Sequence, residues 1–237
     1  MTELTQELEK VARPSEARTV LDLIDRQRPE LVKLLGSEAM AERLARTVLT
    51  ELRRTPTLYE CSPESLLGAM MLAAQLGLEP GPLGHVYLVP FKKQVEFIVG
   101  YKGYIDLAYR SGQVRDVAAS LVHEGDEFAY REGTRPFLDH TPAGPADERP
   151  VTHGYAVARL KSGGTVFVVL FPEDFDRAKA KSASGSKGTG PWITDTKAMQ
   201  RKTCVRRLAP FLPSSPALAL ALGGDQTEPE FDDVVTV

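Results

Sequence analysis

Residues 85–101 read HVYLVPFKKQVEFIVGY, and their period decides what kind of fold this chain can adopt. Tyr87, Val89 and Phe91 alternate with Val86 and Leu88, and Val95, Phe97 and Val99 alternate with Glu96 and Ile98. A period of two on both sides of a short polar link predicts a β-hairpin. The link, Lys92, Lys93 and Gln94, sets two positive charges at the tip.

Outward from the hairpin the period becomes helical. Upstream, Ser37 reads as the N-cap of a helix with Met40, Leu44, Val48 and Leu52 along one side, ended by Pro56. Ser62 caps a second helix, Pro63 takes its first position, Leu66, Leu67, Met70, Met71, Ala74 and Leu76 form its buried side, and Gly77 ends it. Residues 1–36, with Val20, Leu21, Leu23, Ile24 and then Leu31, Val32, Leu34 and Leu35 before Gly36, read as an arm, mobile or lent to a neighbour.

Downstream, KGYIDLAYRSG forms a helix ending at Gly112, with Lys102, Asp106 and Arg110 on one face. Strands are expected around 114–122, 127–130, 151–160 and 165–171, the last two joined by Lys161, Ser162, Gly163 and Gly164. The Pro/Gly/Asp-rich stretch from Pro136 to Pro150 reads as an exposed loop. Pro172, Glu173 and Asp174 open another helix. Thr194 is placed to cap a basic helix that Pro210 and Pro213 stop. After the short apolar segment Ala217 to Leu222, five acids without a base follow from Asp225 to Asp233, a composition expected to be disordered.

The sum is an α+β fold: a β-hairpin and a small antiparallel sheet packed with helices, behind a helical N-terminal region. Residues 1–61 are expected to form an N-terminal helical arm for oligomerisation, 62–213 the core, and 214–237 a C-terminal segment with the acidic tail. With 237 residues and 42% hydrophobic content the chain can fill one substantial core. The two cysteines, Cys61 and Cys204, lack metal-ligand spacing, and nothing at the N-terminus resembles a signal peptide. Free thiols in a reducing cytoplasm follow as the expectation. No apolar run approaches the roughly 20 residues of a membrane span, so no membrane partner is expected.

Charge is distributed unevenly. In SASGSKGTGPWITDTKAMQRKTCVRRLAPFLP, residues 182–213, a Gly/Ser loop carrying Lys187 leads past Trp192 into a helix bearing Lys197, Arg201, Lys202, Arg206 and Arg207. Between Arg177 and Arg207 nine basic residues face one acid, Asp195, in a chain of formal net charge -3. Such an excess is the footprint of a polyanion-binding element, against the plainer reading of a solvated helix face.

Other chemistries fit less well. A phosphate-binding P-loop needs Gly-Lys-Ser/Thr between strand and helix, whereas the order here is Lys187-Gly188-Thr189 after a helix. Asp174 with Asp195-Thr196-Lys197 is compatible with a metal-dependent nuclease, but both acids open helices, where capping explains them. His85, His123, His140 and His153 are scattered without zinc-ligand spacing, and His85 and His153 read as strand residues satisfied by hydrogen bonds. Tyr104 and Trp192 read as packing residues, Lys102 and Arg110 as contacts. A purely structural assembly protein stays open as a third class.

The segments LGLEPGPLGHVYLVPF, VGYKGYIDLAYRSGQV, VHEGDEF, VTHGYAVARL, GPW with MQRKTCVRRL, and FLP stand in an order and spacing that resemble the RecT family of phage single-strand annealing proteins, over about Ser62 to Pro213. Ala209-Pro210 departs from the family, which tends to carry another basic residue and an aromatic there. The resemblance implies a RecT/Redβ-like core and annealing of complementary DNA strands without ATP by a DNA-bound homo-oligomer, a filament or ring. It implies no required cofactor, with Mg²⁺ at most a modulator of charge. It implies single-stranded DNA and the annealed duplex as partners, with a 5′–3′ exonuclease and the host single-strand-binding protein, in the cytoplasm of a bacterial host cell. The DNA contacts it implies are Lys92 and Lys93 on the hairpin, Lys102 and Arg110 on the next helix, Lys187 in the loop, and Lys197, Arg201, Lys202, Arg206 and Arg207. No catalytic residue and no metal ligand is implied.

Overall fold

The computed structural model describes residues 14–145, 149–182, 188, 191–213 and 215–224. The chain divides into two compact units, one of residues 1–107 with 216–237 and one of residues 108–215. Helices and small antiparallel sheets make an α+β fold, as the alternation of periods predicts. Among the described residues no helix is long and apolar enough to cross a membrane.

The first unit is a helical layer carrying a hairpin. Helix α1 (Pro14–Leu35) packs on α2 (Glu38–Arg54) and α3 (Pro63–Leu76). The described part of the expected arm is therefore docked rather than detached. Ile24 and Leu31, two turns apart on one face, are both buried. Between them Arg28 donates to Glu42 at 2.8 Å and Glu38 at 3.4 Å on α2. Ser37 occupies the N-cap of α2 without a side-chain hydrogen bond, whereas the Ser62 hydroxyl accepts from Ser65 N at the start of α3. Gly77 closes α3 in the left-handed region, φ 60°, a conformation that favours glycine.

Strands β1 (Val86–Phe91) and β2 (Gln94–Val99) form the hairpin in the register Val86↔Val99 to Phe91↔Gln94. The turn is therefore two residues, Lys92 and Lys93, with φ 46° and 61°. Both left-handed values match the twist of a hairpin turn, but this geometry ordinarily selects Asn and Gly. Val86, Leu88, Val95, Phe97 and Val99 are buried and seat the hairpin. Helix α4 (Tyr101–Arg110) starts where the chain crosses itself: a Cβ on Gly100 would run into the Gly84 carbonyl oxygen. The boundary between the units falls inside α4, after Leu107.

The second unit is built on a three-stranded antiparallel sheet ordered β3 (Val114–His123), β6 (Val151–Leu160), β7 (Thr165–Leu170). Beside it, β4 (Glu127–Arg131) pairs with β5 (Phe137–Thr141) from Glu127↔Thr141 to Arg131↔Phe137. Strand β5 replaces the first part of the loop expected from Pro136 to Pro150. Helices α5 (Pro172–Lys181), α6 (Pro191–Thr194) and α7 (Thr196–Leu208) follow, with α5 and α7 on the sheet. They approach closely because Gly154 lacks a side chain: a Cβ there would lie 2.6 Å from Phe175 Cζ and 2.9 Å from Cys204 Sγ. A one-turn 3₁₀ segment (Ala209–Phe211) ends α7, and α8 (Pro216–Gly224) returns to the first unit, against α3 and β2. The acidic tail lies outside the described residues.

Candidate nucleic-acid interface

Helix α7 carries most of the charge. Its N-cap is Asp195, whose side chain accepts from Ala198 N at 3.3 Å, so the cap falls one residue after the expected Thr194, which ends α6. Thr196 donates back to the Trp192 carbonyl at 2.9 Å, and Trp192 itself is buried. Cys204, Val205 and Leu208 are buried, the stripe the sequence predicts. Lys202 and Arg206 follow each other one turn apart on the opposite side of the helix from Cys204 and Leu208. Arg201 is exposed, and Lys197, Lys202, Arg206 and Arg207 are half-buried. Burial pushes the Cys204 thiol up to about 12, which leaves it a packing residue.

The other cations lie elsewhere. Lys92 and Lys93 are exposed at the hairpin turn. That turn is tied down, because Ser62 N donates to the Lys93 carbonyl at 2.8 Å and Val95 N to Ser65 Oγ at 2.9 Å. Lys102 and Arg110 are both exposed on α4, Lys102 in the first unit and Arg110 in the second. Lys187 lies outside the described residues. The first unit thus gathers Lys92, Lys93 and Lys102, and the second Arg110 and the five cations of α7. Tyr104 is buried in packing.

The carboxylates that suggested a nuclease are engaged as caps. Asp174 accepts from Phe171 N at 2.9 Å and pairs with Arg177 at 2.6 Å at the head of α5. Asp195 caps α7. Among the described residues, no group of three or more His, Cys, Asp or Glu side chains comes together as a metal site would require.

One polar constellation escaped sequence reading. The Asp126 side chain, 1% exposed, accepts from His123 N and Ala143 N, both at 2.9 Å, from Arg149 at 2.7 Å, and pairs with His140 Nε2 at 3.1 Å. Those partners give His140 a consistent tautomer, with Nε2–H donating to Asp126 and Nδ1 accepting from the Tyr155 hydroxyl at 3.2 Å. The two backbone donors first, then Arg149 and His140, hold the Asp126 carboxyl far below the usual carboxylate range. Burial, then the nearby Lys197, keeps His123 below the ordinary histidine value. Two of the four scattered histidines thus converge on one carboxylate. Their positions along the chain gave no sign of it; the only hint was an acid placed after Gly125 in a tight turn. His153 Nδ1 lies 3.2 Å from the neighbouring Thr152 hydroxyl, among the rings of Phe128 and Phe171, and His85 accepts from Gly100 N through its carbonyl.

Comparison with known proteins adds a lineage to this geometry. Residues 42–235 match the model of the RecT family, a longer span than the six motifs cover. The chain is 43% identical over 209 residues to Protein RecT of Escherichia coli strain K12, an alignment covering 84% of this chain and 77% of that protein. It is also 33% identical over 103 residues to the uncharacterized protein YqaK of Bacillus subtilis strain 168, covering 41% of this chain and 36% of the relative. By the extent of the family match and the identity to a protein it covers over most of its length, this chain belongs to the RecT family.

Proposed function

We propose that this protein binds single-stranded DNA and anneals complementary strands in homologous recombination, without ATP and as a homo-oligomer assembled on the DNA. The observation that carries the reading is α7, pinned to the sheet through Cys204, Val205 and Leu208 while five cations surround the rest of it, in a chain of the RecT family. Cations of this kind hold a sugar-phosphate backbone without reading bases, which leaves Watson–Crick edges open to a second strand. Neutralising phosphates on both strands removes the repulsion that slows their pairing. No bond is made or broken, so the protein works as a template for pairing, with Mg²⁺ only as a modulator of charge.

In this proposal Lys92, Lys93, Lys102, Arg110, Lys187, Lys197, Arg201, Lys202, Arg206 and Arg207 contact phosphates. The region before residue 62 supplies contacts between subunits, and 62–213 does the annealing. A 5′–3′ exonuclease delivers the single strand, and the host single-strand-binding protein shares it, inside a bacterial cell. The test is to mix two complementary labelled oligonucleotides with the protein in the absence of nucleotide and to image the products by electron microscopy. Accelerated pairing on protein-coated DNA is expected. Pairing no faster than the protein-free control, or metal-dependent shortening of the strands, contradicts the proposal.

A further inference from the structure

The β1 row on the outward face of the β1–β2 hairpin departs from what a solvated strand face requires. Alternation in an antiparallel pair should place polar residues on the open side. Here Tyr87, Val89 and Phe91 of β1 stand outward at 44%, 36% and 45% exposure, while β2 sets half-buried Ile98 opposite Tyr87, half-buried Glu96 opposite Val89 and exposed Gln94 opposite Phe91. The core does not explain them, because the buried set of this hairpin is complete without them: Val86, Leu88, Val95, Phe97 and Val99.

Both aromatics are prepared as platforms with a cation at hand. The Lys92 amine lies 5.1 Å from the centroid of the Phe91 ring, within cation–π range. Tyr87 lies against glycine backbone, since a Cβ on Gly84 would come 2.8 Å from its hydroxyl and one on Gly100 3.0 Å from its ring. The Lys102 stem passes 3.8 Å from that same Gly84 position. The two rings stand four residue steps apart, roughly 13 Å along β1.

The turn adds a third, independent sign. Lys92 and Lys93 both take left-handed backbone angles, where a β-carbon crowds the following carbonyl oxygen and where Asn-Gly would be unstrained. Strain retained in a well-anchored turn points to a use for the side chains it displays.

We infer that Tyr87 and Phe91 form a stacking surface for unpaired nucleobases of single-stranded DNA, with Lys92, Lys93 and Lys102 holding the adjoining phosphates. This rests on the annealing proposal and deepens it: the cations supply affinity for any polyanion, and the aromatic strip supplies preference for a strand whose bases are free. Aromatic rings accept every base, so the contact is tolerant of sequence. A polyanion without bases gains nothing from the strip.

The test uses the full chain and two oligonucleotides of equal length and charge, one of thymidines and one abasic at every position. Tyr87→Ala and Phe91→Ala are each expected to weaken thymidine binding about tenfold, in line with the worth of one base–aromatic stack, while leaving abasic binding unchanged. A separate variant, Phe91→Trp, adds a second tryptophan to the buried Trp192. Its extra fluorescence is expected to be quenched by the thymidine strand and untouched by the abasic one, a readout that survives if an alanine variant folds poorly. Equal losses on both strands, no loss on either, or quenching by both overturns the stacking surface while leaving phosphate binding intact. Altered sedimentation of the DNA-free variants also overturns it, because the strip is then an interface between copies of this chain. Wild-type protein that binds neither strand overturns the annealing proposal itself, and the inference with it.

Discussion

Hairpins β1–β2 and β4–β5 are held by different chemistry. Hairpin β1–β2 rests on an apolar inner face and turns Tyr87, Val89 and Phe91 outward, with a strained Lys-Lys turn at its tip. Hairpin β4–β5 turns Glu127, Ala129, Arg131, Phe137 and Asp139 outward and is tied from within by Asp126, His140, Arg149 and Tyr155. The first leaves an apolar row along β1 open to solvent; the second sets charged residues beside one exposed ring, Phe137, with Arg131 over it at 5.2 Å. The contrast separates a hairpin that displays a surface from one that completes a unit.

Breaking the polar tie is expected to have the largest effect. Asp126→Ala strips Arg149, His140 and two backbone N–H groups of their shared acceptor, and a buried donor left without an acceptor costs more than its hydrogen bond contributes. Thermal melting should show the greatest fall among these variants. A melt like wild type would mean that β4–β5 is held by its rings alone. Next comes Gly154→Ala, which pushes a methyl into Phe175 and Cys204 and is expected to destabilise by about 1–3 kcal/mol, read from denaturant titration.

At the first hairpin the expectation reverses in sign. Lys93→Gly relieves a left-handed β-carbon and should raise stability by about 1 kcal/mol while weakening single-strand binding. Stability and binding falling together would remove the distinction between the hairpins.

Acid sharpens the comparison further. His123 and His153 have folded values pushed below the ordinary histidine pKa of about 6.5, mainly by burial. Unfolded chains therefore take up protons first as pH falls below that value, so the stability these residues allow is full above it and is lost on the way down to their folded values. Asp126, held low, loses its contribution only at far more acidic pH. The second unit should melt modestly earlier at about pH 5.5 than at about pH 7.5, on either side of the ordinary histidine value, and His123→Gln should flatten that slope. Equal melting at both pH values would contradict the burial argument.

Much of the first unit was legible because its signals are local. Ser62, Pro63 and Gly77 bracket α3 through backbone geometry that each residue type favours by itself. Hairpin β1–β2 announced itself by alternation, yet the same alternation hid its outward strip, since apolar residues on both faces read first as core. Strand β5 could not be read, because Phe137 to Thr141 sits between Pro/Gly-rich stretches and its inward His140 is satisfied by partners from β6 and the β3–β4 turn. The choice between Thr194 and Asp195 as cap is likewise made by tertiary context, with Thr194 absorbed into α6. Helix α7 was legible as a count of charges and a buried stripe, both intrinsic to its sequence.

The central claim, that α7 holds phosphates, is tested most directly by the salt dependence of single-strand affinity. Logarithmic affinity against logarithmic salt concentration should fall steeply for wild type, and Arg201→Ala with Arg206→Ala should make the slope shallower by about 1.4, close to 0.7 for each phosphate no longer neutralised. A flat wild-type slope, or a double variant with unchanged slope and affinity, would contradict the assignment.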